Sequence, residues 1–311
     1  MKFGLIDIGS NTTKILIAEK ISSDNAANFL PLEQISFPCR LLPKSTPGNF
    51  QIRPGEIDLL KKCLSQLKQS CENHCVEEIR TVATEAFRKA SNSLQIVEEV
   101  KQCLGLNIEI LSGIEEAMAV VRGLQTDPML NDWHNFIAMD IGGGSIELIQ
   151  VQNHQVMEAK SLPIGAVRMA QMNQVDLNDP IKPENQSKMT LFLSQLLNAE
   201  IPTLGSSNHQ VVVTGGTLVY LRKSLERERS ADSGGVIKLS DIESVSATMS
   251  RCHLKERITR YPEIPADRAD IFPYGLLTII EIMKFIGADQ MIHSFHNLRY
   301  GLMYDLVEAA G

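Results

Sequence analysis

One short device occurs twice in this chain and limits its fold more than any bulk property does. Asp7-Ile8-Gly9 ends an apolar run, a loop of small polar residues follows, and a second apolar run starts at Ile15-Leu16-Ile17. Asp140-Ile141-Gly142 ends another apolar run and leads through Gly143-Gly144-Ser145 to Leu148-Ile149. The first copy reads KFGLIDI (2–8), GSNTT (9–13) and KILIAE (14–19); the second reads FIAMDI (136–141), GGGS (142–145) and IELIQVQ (146–152). Strand-forming runs joined by a glycine-led polar turn predict a hairpin in each copy. A repeat at the head of each half predicts a duplicated architecture. Two similar α/β halves would face each other across a cleft, a common place for a ligand site.

Between the hairpins, helical and strand patterns alternate. Ile57, Leu60, Leu64, Leu67 and Cys71 predict a helix over 56–71, opened by Pro54 and Gly55. IRTVAT (79–84) reads as a strand, and Glu85 can open a helix. Leu94, Val97 and Leu104 form a further helical stripe with Ser93 as N-cap. NIEIL (107–111) reads as a strand, Ser112-Gly113 opens a helix to about Leu124, and TDPMLND (126–132) is a linker. In the second half we expect a third strand near 155–162, a loop at 178–185 and a helix over about 186–199. The strand QVVVTGGT (210–217) enters a glycine turn. Two or three helices within 218–286, a short strand at 291–294 and a last helix at 299–310 complete the chain. This gives an N-terminal lobe, 1–125, completed by the C-terminal helix 299–311, and a C-terminal lobe, 126–298.

Composition excludes some classes of function. A length of 311 residues fits two domains at about 150 each. Thirty Lys and Arg against 37 Asp and Glu leave a net charge of −7, which argues against broad capture of nucleic acid or an anionic membrane. A small anion in a local basic pocket remains compatible with that charge. There is no run of 18 apolar residues to predict a membrane span, and MKFGLIDIGSNTTK does not read as a signal peptide. Cys39, Cys63, Cys71, Cys75, Cys103 and Cys252 include no CxxC pair, so free thiols in a reducing, cytoplasmic compartment are expected. His293 and His296 stand three apart without a nearby Cys or carboxylate cluster, and read as ordinary histidines rather than a zinc site.

Three loops can do phosphate chemistry. Gly9-Ser10-Asn11-Thr12-Thr13 offers amide N–H groups, hydroxyls and a carboxamide. Gly142-Gly143-Gly144-Ser145 and Thr214-Gly215-Gly216-Thr217 allow close backbone approach to an oxyanion, and a helix N-terminus after the latter adds its dipole. One such loop alone is a tight turn; three after apolar strands suggest a phosphate cradle. Asp7 and Asp140 stand at strand ends, where each can ligate Mg²⁺ or simply hydrogen-bond its own turn. Glu147 is either an outward strand residue or a carboxylate reaching a metal-bound water. Glu115 and Glu116 open a helix; charge complementarity explains one, and the other can act as a general base. Arg88 and Arg168 are surface arginines or, if their elements reach the site, charge clamps for a phosphoryl group. Residues 36–55 carry Arg40, Lys44 and Arg53 between four prolines, as a basic flap or a plain connector.

At these residues the sequence resembles the exopolyphosphatase / guanosine-pentaphosphate phosphatase (Ppx/GppA) family. The resemblance runs in order through IDIGSNTTKILI (6–17), TVATEAFRKA (81–90), LSGIEEA (111–117), MDIGGGSIEL (139–148), LPIGAVRM (162–169), VTGGTLVYL (213–221), IPADRADIFPYGLLTI (264–279) and SFHNLRYGLM (294–303). It implies an α/β fold, the duplicated actin-like (ribonuclease H-like) ATPase fold with two lobes around a central cleft. It further implies hydrolysis of a terminal phosphoanhydride with Mg²⁺, or Mn²⁺ in its place, and water as nucleophile. Carried over by motif, Glu116 is the base with Glu115 as fallback, Arg88 contacts phosphate, Asp140 coordinates metal, and Glu147 coordinates metal or positions water. Ser10, Asn11, Gly143, Gly144, Ser145, Gly216 and Thr217 carry over as phosphate-loop positions. Inorganic polyphosphate is the expected substrate, with guanosine pentaphosphate, a kinase or ATPase activity, or non-catalytic sensing as alternatives. No nucleic acid or membrane partner is expected, and a homodimer is expected from the family. Thr12 stands where the family usually has Ser, and Asn297 where it usually has Gly before Leu-Arg; Asn tolerates a left-handed turn there. The chain looks like the short, two-domain form.

Overall fold

A computed structural model of the chain describes residues 1–21, 28–42, 50–172, 176–204, 210–230 and 233–310. They fall into two compact units: Met1–Asp132 with the segment from His296 onward, and Trp133–Phe295. The 126–132 segment belongs to the first unit. Thr126, Asp127 and Leu130 are buried there, and Pro128–Leu130 forms a short 3-10 turn.

In chain order, the first unit contains β1 (Lys2–Ile8), β2 (Thr12–Lys20), β3 (Phe29–Pro38), α1 (Pro54–Asn73), β4 (Glu78–Ala83), α2 (Glu85–Lys89), α3 (Ser93–Leu104), β5 (Ile108–Ile110) and α4 (Gly113–Gln125). The second contains β6 (Asn135–Ile141), β7 (Ile146–Gln152), β8 (Gln155–Leu162), α5 (Ala166–Met172), α6 (Pro183–Glu200), β9 (Val211–Thr214), α7 (Gly216–Arg229), β10 (Val236–Lys238), α8 (Leu239–Arg251), α9 (Leu254–Arg260), α10 (Phe272–Phe285) and β11 (Gln290–His293). The chain then returns to the first unit as α11 (Leu298–Ala309).

Both sheets follow one plan. The first has the order β3-β2-β1-β4-β5, and the second β8-β7-β6-β9-β11 with β10 added at the far edge. In each, the first three strands are antiparallel and the fourth and fifth run parallel to the first. The repeat holds residue by residue in the hairpins. Ile8 pairs with Thr13 and Ile141 with Ile146; Asp7 pairs with Lys14 and Asp140 with Glu147. The register irregularity also recurs at the same place, between Ile17 and Ala18 on β2 and between Gln150 and Val151 on β7. The architecture is therefore the duplicated actin-like α/β fold.

Strands β1 and β6 are central and apolar, and Phe3 through Ile6 and Phe136 through Met139 are buried. In the first unit, α11 packs on α4, β1 and β2. Its contact with α4 needs glycine on both sides. A Cβ on Gly123 would strike the Asn297 carbonyl, and one on Gly301 that of Ala119. In the second unit the apolar α10 packs against α5, α6 and α8.

Several local expectations change. Residues 29–38 form an edge strand that the sequence pattern hides, because Pro31 and Pro38 interrupt it and its outer face stays polar. The N-cap of α3 is Asn92, not Ser93, and its side chain is occupied in a two-way bond with the Ile52 backbone at 3.0 and 2.9 Å. Four helices rather than two or three lie between 216 and 285. Asn297 is not left-handed: it is extended (φ −147°) and caps α11, its Oδ1 accepting from the Arg299 N–H at 3.0 Å.

Candidate functional site

Each hairpin ends in the same closed turn. The Gly9 N–H donates to the Thr12 carbonyl at 3.0 Å, and the Gly142 N–H donates to the Ser145 carbonyl at 3.1 Å. What the turns present is decided by where their other carbonyls go. In the first, the Ser10 carbonyl accepts from the Leu41 N–H and the Asn11 carbonyl from the Cys39 N–H, both at 3.0 Å. In the second, the carbonyls of Gly142, Gly143 and Gly144 accept from N–H groups of Ala166, Val167, Arg168 and Gly165 at 2.8–3.2 Å. Those donors sit at the start of α5, where a helix leaves its first N–H groups without internal partners. Gly165 permits this approach, since a Cβ there would lie 2.5 Å from the Gly143 carbonyl carbon. With the carbonyls engaged, the amide N–H groups are what remains on the opposite side of each turn, an arrangement suited to an oxyanion.

Ser10, Asn11 and Thr12 are buried, as are Ser145 and Thr217. Asn11 Oδ1 accepts from Arg40 Nε at 2.8 Å, so the carboxamide turns its Nδ2 the other way, and that buried donor meets no acceptor among the described residues. A buried amide donor left in that state is costly unless something fills it. A phosphate oxygen would. Of the basic segment 36–55, Arg40 therefore belongs to the turn, Arg53 pairs with Glu56 at the start of α1, and Lys44 lies outside the described residues.

The third loop begins α7. Gly215 has φ +110°, a conformation only glycine adopts easily, and a Cβ on it would lie 2.5 Å from the Ile141 carbonyl oxygen. Thr214 pairs in register with Asp140, and its Oγ1 is buried without a partner among the described residues. Arg268, which the sequence reading did not single out, stacks over the Tyr220 ring at 5.4 Å, with its guanidinium where a Gly216 side chain would stand. The 51 residues between Gly216 and Arg268 hide that approach from sequence proximity.

The carboxylates have different surroundings. Asp7 is buried, and burial raises its carboxyl above the ordinary value, against the lowering effect of the Lys14 and Arg299 charges. Arg299 is itself buried and donates to the Ile15 carbonyl at 3.0 Å. Asp7 is thus set among cations in the first unit. Asp140 and Glu147 are cross-strand partners in the second, where Lys14 has its counterpart in Glu147. Glu147 is 1% exposed and accepts from Ser145 Oγ at 2.8 Å and Ser161 Oγ at 2.7 Å. Oxygen donors of this kind fit a hard cation such as Mg²⁺. That ion usually takes one or two carboxylates, waters and substrate oxygens rather than a closed protein cage. The described residues hold no cluster of three or more His, Cys, Asp or Glu.

Glu115 and Glu116 are separated by the helix they start. Glu115 is exposed and forms a capping box with Ser112: its carboxylate accepts from the Ser112 N–H at 2.7 Å, which holds its carboxyl below the ordinary value. Glu116 is buried, and its Oε2 accepts from Arg88 Nη1 at 2.7 Å. Arg88 also donates to the Leu111 carbonyl at 2.9 Å and pairs with buried Glu85 at 3.2 Å. The short helix α2 and the first turn of α4 are tied together by this one guanidinium. Arg168, on α5, is buried beside the second glycine turn.

Fold and turns together define a duplicated actin-like α/β protein whose two units each carry an oxyanion-type turn at the end of the first strand. The chain belongs to the Ppx/GppA phosphatase family, whose sequence profile matches residues 21–310. The guanosine-5'-triphosphate,3'-diphosphate pyrophosphatase of Vibrio cholerae is 25% identical over 311 residues, covering 98% of this chain and 59% of that protein. The chain thus spans about three fifths of the length of the curated relatives it matches. An exopolyphosphatase from Cytophaga hutchinsonii shares the fold with a TM-score of 0.87 at 22% identity, covering 99% of this chain and 98% of that one. The PPX-GPPA enzyme of Aquifex aeolicus superposes with a TM-score of 0.77 at 25% identity, covering 98% and 99%.

Proposed function

We propose that the protein hydrolyses the terminal phosphoanhydride of inorganic polyphosphate and releases orthophosphate. The observation that carries this reading is the doubled turn: two strand-linked loops with engaged carbonyls and outward amide N–H groups, in a chain of the Ppx/GppA family. Glu116 accepts a proton from the attacking water, whose oxygen bonds to the terminal phosphorus. The anhydride bond breaks, and its electron pair leaves with the shortened polyphosphate. Arg88 fixes the Glu116 carboxylate and offers its charge to the phosphoryl oxygens. Asn11 Nδ2 and the turn amides bind non-bridging oxygens, and Arg168 and Arg268 add charge beside the second and third loops. Asp140 and Glu147 would hold Mg²⁺, or Mn²⁺ in its place, which supplies neutralisation of phosphate charge. Asp7, buried at the end of β1 beside Lys14 and Arg299, would offer that ion a further oxygen.

A second reading is removal of the terminal phosphate from guanosine pentaphosphate, favoured by the named activity of the Vibrio cholerae relative. We place the protein in a reducing cytoplasm because all six of its cysteines are free of disulfides, and read it as a homodimer by family resemblance. None of its described helices is long and apolar enough to cross a membrane. The test is to incubate the protein and Mg²⁺ with polyphosphate of defined length, guanosine pentaphosphate and ATP, and to measure phosphate. Release from polyphosphate supports the main reading; release from guanosine pentaphosphate alone selects the second; no release from any of them overturns both.

A further inference from the structure

We infer that Glu85 is a positioning residue for hydrolysis: acting through Arg88, it sets how Glu116 presents its carboxylate. The inference rests on the phosphoanhydride reading, with Glu116 as its base. In the sequence Glu85 is only the opener of a short helix, but its surroundings give it more to do. Glu85 and Glu116 are both buried, and both meet the one guanidinium of Arg88. Carboxylates are seldom buried so fully unless paired. A single cation shared by two of them is a specific arrangement.

The Arg88 donors are divided between the two carboxylates. Nε and Nη2 both donate to Glu85 Oε2, at 3.3 and 3.2 Å. Nη1 donates to the Leu111 carbonyl at 2.9 Å and to Glu116 Oε2 at 2.7 Å. Glu85 thus grips one edge of the planar fork and leaves Nη1 to the base. It stands three residues before Arg88 on α2, the spacing that brings side chains together on a helix. The backbone anchors this pair. The Thr84 N–H donates to the Ile8 carbonyl at 3.3 Å, the Phe87 and Arg88 N–H groups return to the Thr84 carbonyl at 3.0 and 3.1 Å, and the Leu111 N–H donates to the Ala83 carbonyl at 2.9 Å. Glu85, Arg88 and Glu116 therefore sit at the carboxyl ends of the parallel strands β1, β4 and β5, where β1 runs into the Gly9–Thr13 turn and where open α/β sheets bind ligands. Long side chains lose rotamer freedom when they are fixed, and with Glu85 in place that ordering precedes substrate. Without the Glu85 charge, Glu116 alone balances Arg88 within this trio, and its carboxylate follows the guanidinium rather than the attacking water.

Glu85→Gln keeps the size of the side chain and removes its charge. Phosphate release in Mg²⁺, from polyphosphate of defined length and from guanosine pentaphosphate, is measured for the intact protein, Glu85→Gln, Glu116→Gln and the double variant. We expect Glu85→Gln to lower kcat by about 10- to 100-fold, the cost of a slightly misplaced catalytic group, with KM within about threefold. In the Glu116→Gln background the same change should move kcat by less than about threefold, because residues that act as a unit are not additive. Calorimetric binding of tripolyphosphate should stay within about twofold in Glu85→Gln, which reports a folded site. If Glu85→Gln loses that binding, Glu85→Asp takes its place in the cycle under the same requirement of non-additivity. A kcat within about threefold of the intact protein, a rise in KM in place of the fall in kcat, or losses that multiply in the double variant overturn the inference and leave the hydrolase reading standing. No phosphate released by the intact protein from either substrate overturns both.

Discussion

Adjacent residues Glu115 and Glu116 illustrate how one helical step divides two identical side chains between structure and chemistry. Glu115 closes a capping box in solvent, and Glu116, about 100° further round the helix, is buried against Arg88. Glu116→Gln should lower turnover by roughly 10²- to 10⁴-fold, the usual contribution of a general base. Its melting temperature should move little, because Arg88 keeps Glu85 as a charged partner. Glu115→Ala should do the reverse, with a lower melting temperature from the lost capping box and activity within a few-fold. Phosphate release and calorimetry on both variants check this, and the opposite pattern would exchange their roles. A second residue-level prediction concerns thiols. Burial pushes the Cys39 thiol up to about 12 and the Cys71 thiol to about 11, whereas Cys75 and Cys103 are exposed. At pH 8 iodoacetamide should modify Cys75 and Cys103 and spare Cys39 and Cys71 until the protein unfolds, because the thiolate is the reactive form. Peptide mapping of the native protein reads this directly, and rapid labelling of Cys39 would contradict the seating of residues 39–42 on the first turn.

At the scale of elements, what a glycine contributes depends on what faces it. Gly165→Val should push the start of α5 away from the second turn and destabilise the protein by roughly 1–3 kcal/mol, as overpacking does, while raising the KM for polyphosphate. Gly55→Ala, in the first turn of α1 with no atom within 4 Å of the added carbon, should be neutral or stabilise by up to about 1 kcal/mol. Urea unfolding of both variants tests the contrast. The segment entering α11 carries a pH response. His296 stacks on Tyr300 at 3.9 Å, and its Nδ1 is 2.8 Å from Thr126 Oγ1. Burial holds its imidazole below the ordinary 6.5, with Asp127 opposing. The unfolded chain therefore takes up its proton first as pH falls. This stability is fully present above about 6.5 and is lost as pH falls through the interval down to the folded value. The melting temperature should drop by a few degrees between pH 7.5 and 5.5, and His296→Asn should flatten that slope; parallel slopes would remove His296 as the cause. The hairpins and the capped helix α4 were legible because each is specified by a contiguous pattern: alternation, a glycine turn, a Ser–Glu spacing of three. Strand β3 was not, since its prolines and half-exposed face imitate a loop. The cations around Asp7 and the Arg268 contact were not, since their partners lie far away in sequence.

For the whole molecule, the repeat in sequence predicted the repeat in topology because both copies solve one local problem, a hairpin whose turn must expose its amides. The first unit is assembled from two separated pieces of chain, Met1–Asp132 and the segment from His296 onward. Eight of the twelve residues of α11 are buried, while Asp305 and Glu308 reach the surface near its end. That helix covers β1, β2 and α4. Its removal would uncover apolar side chains of β1, β2 and α4, and each buried aliphatic side chain is worth about 1.5–3 kcal/mol. Losing several removes a large part of the 5–15 kcal/mol margin of an ordinary domain. The second unit is continuous from Trp133 to Phe295, with its own six-stranded sheet and the apolar helix α10 inside its core. A fragment spanning 133–295 should therefore melt cooperatively alone, and a fragment spanning 1–132 should not. Joining 1–132 to 296–311 through a short glycine-serine linker should restore a cooperative transition, because Thr126 and His296 already stand within hydrogen-bond distance. Circular dichroism melts of the three fragments decide the point: a cooperative transition in 1–132 alone would mean that α11 is dispensable to the first unit.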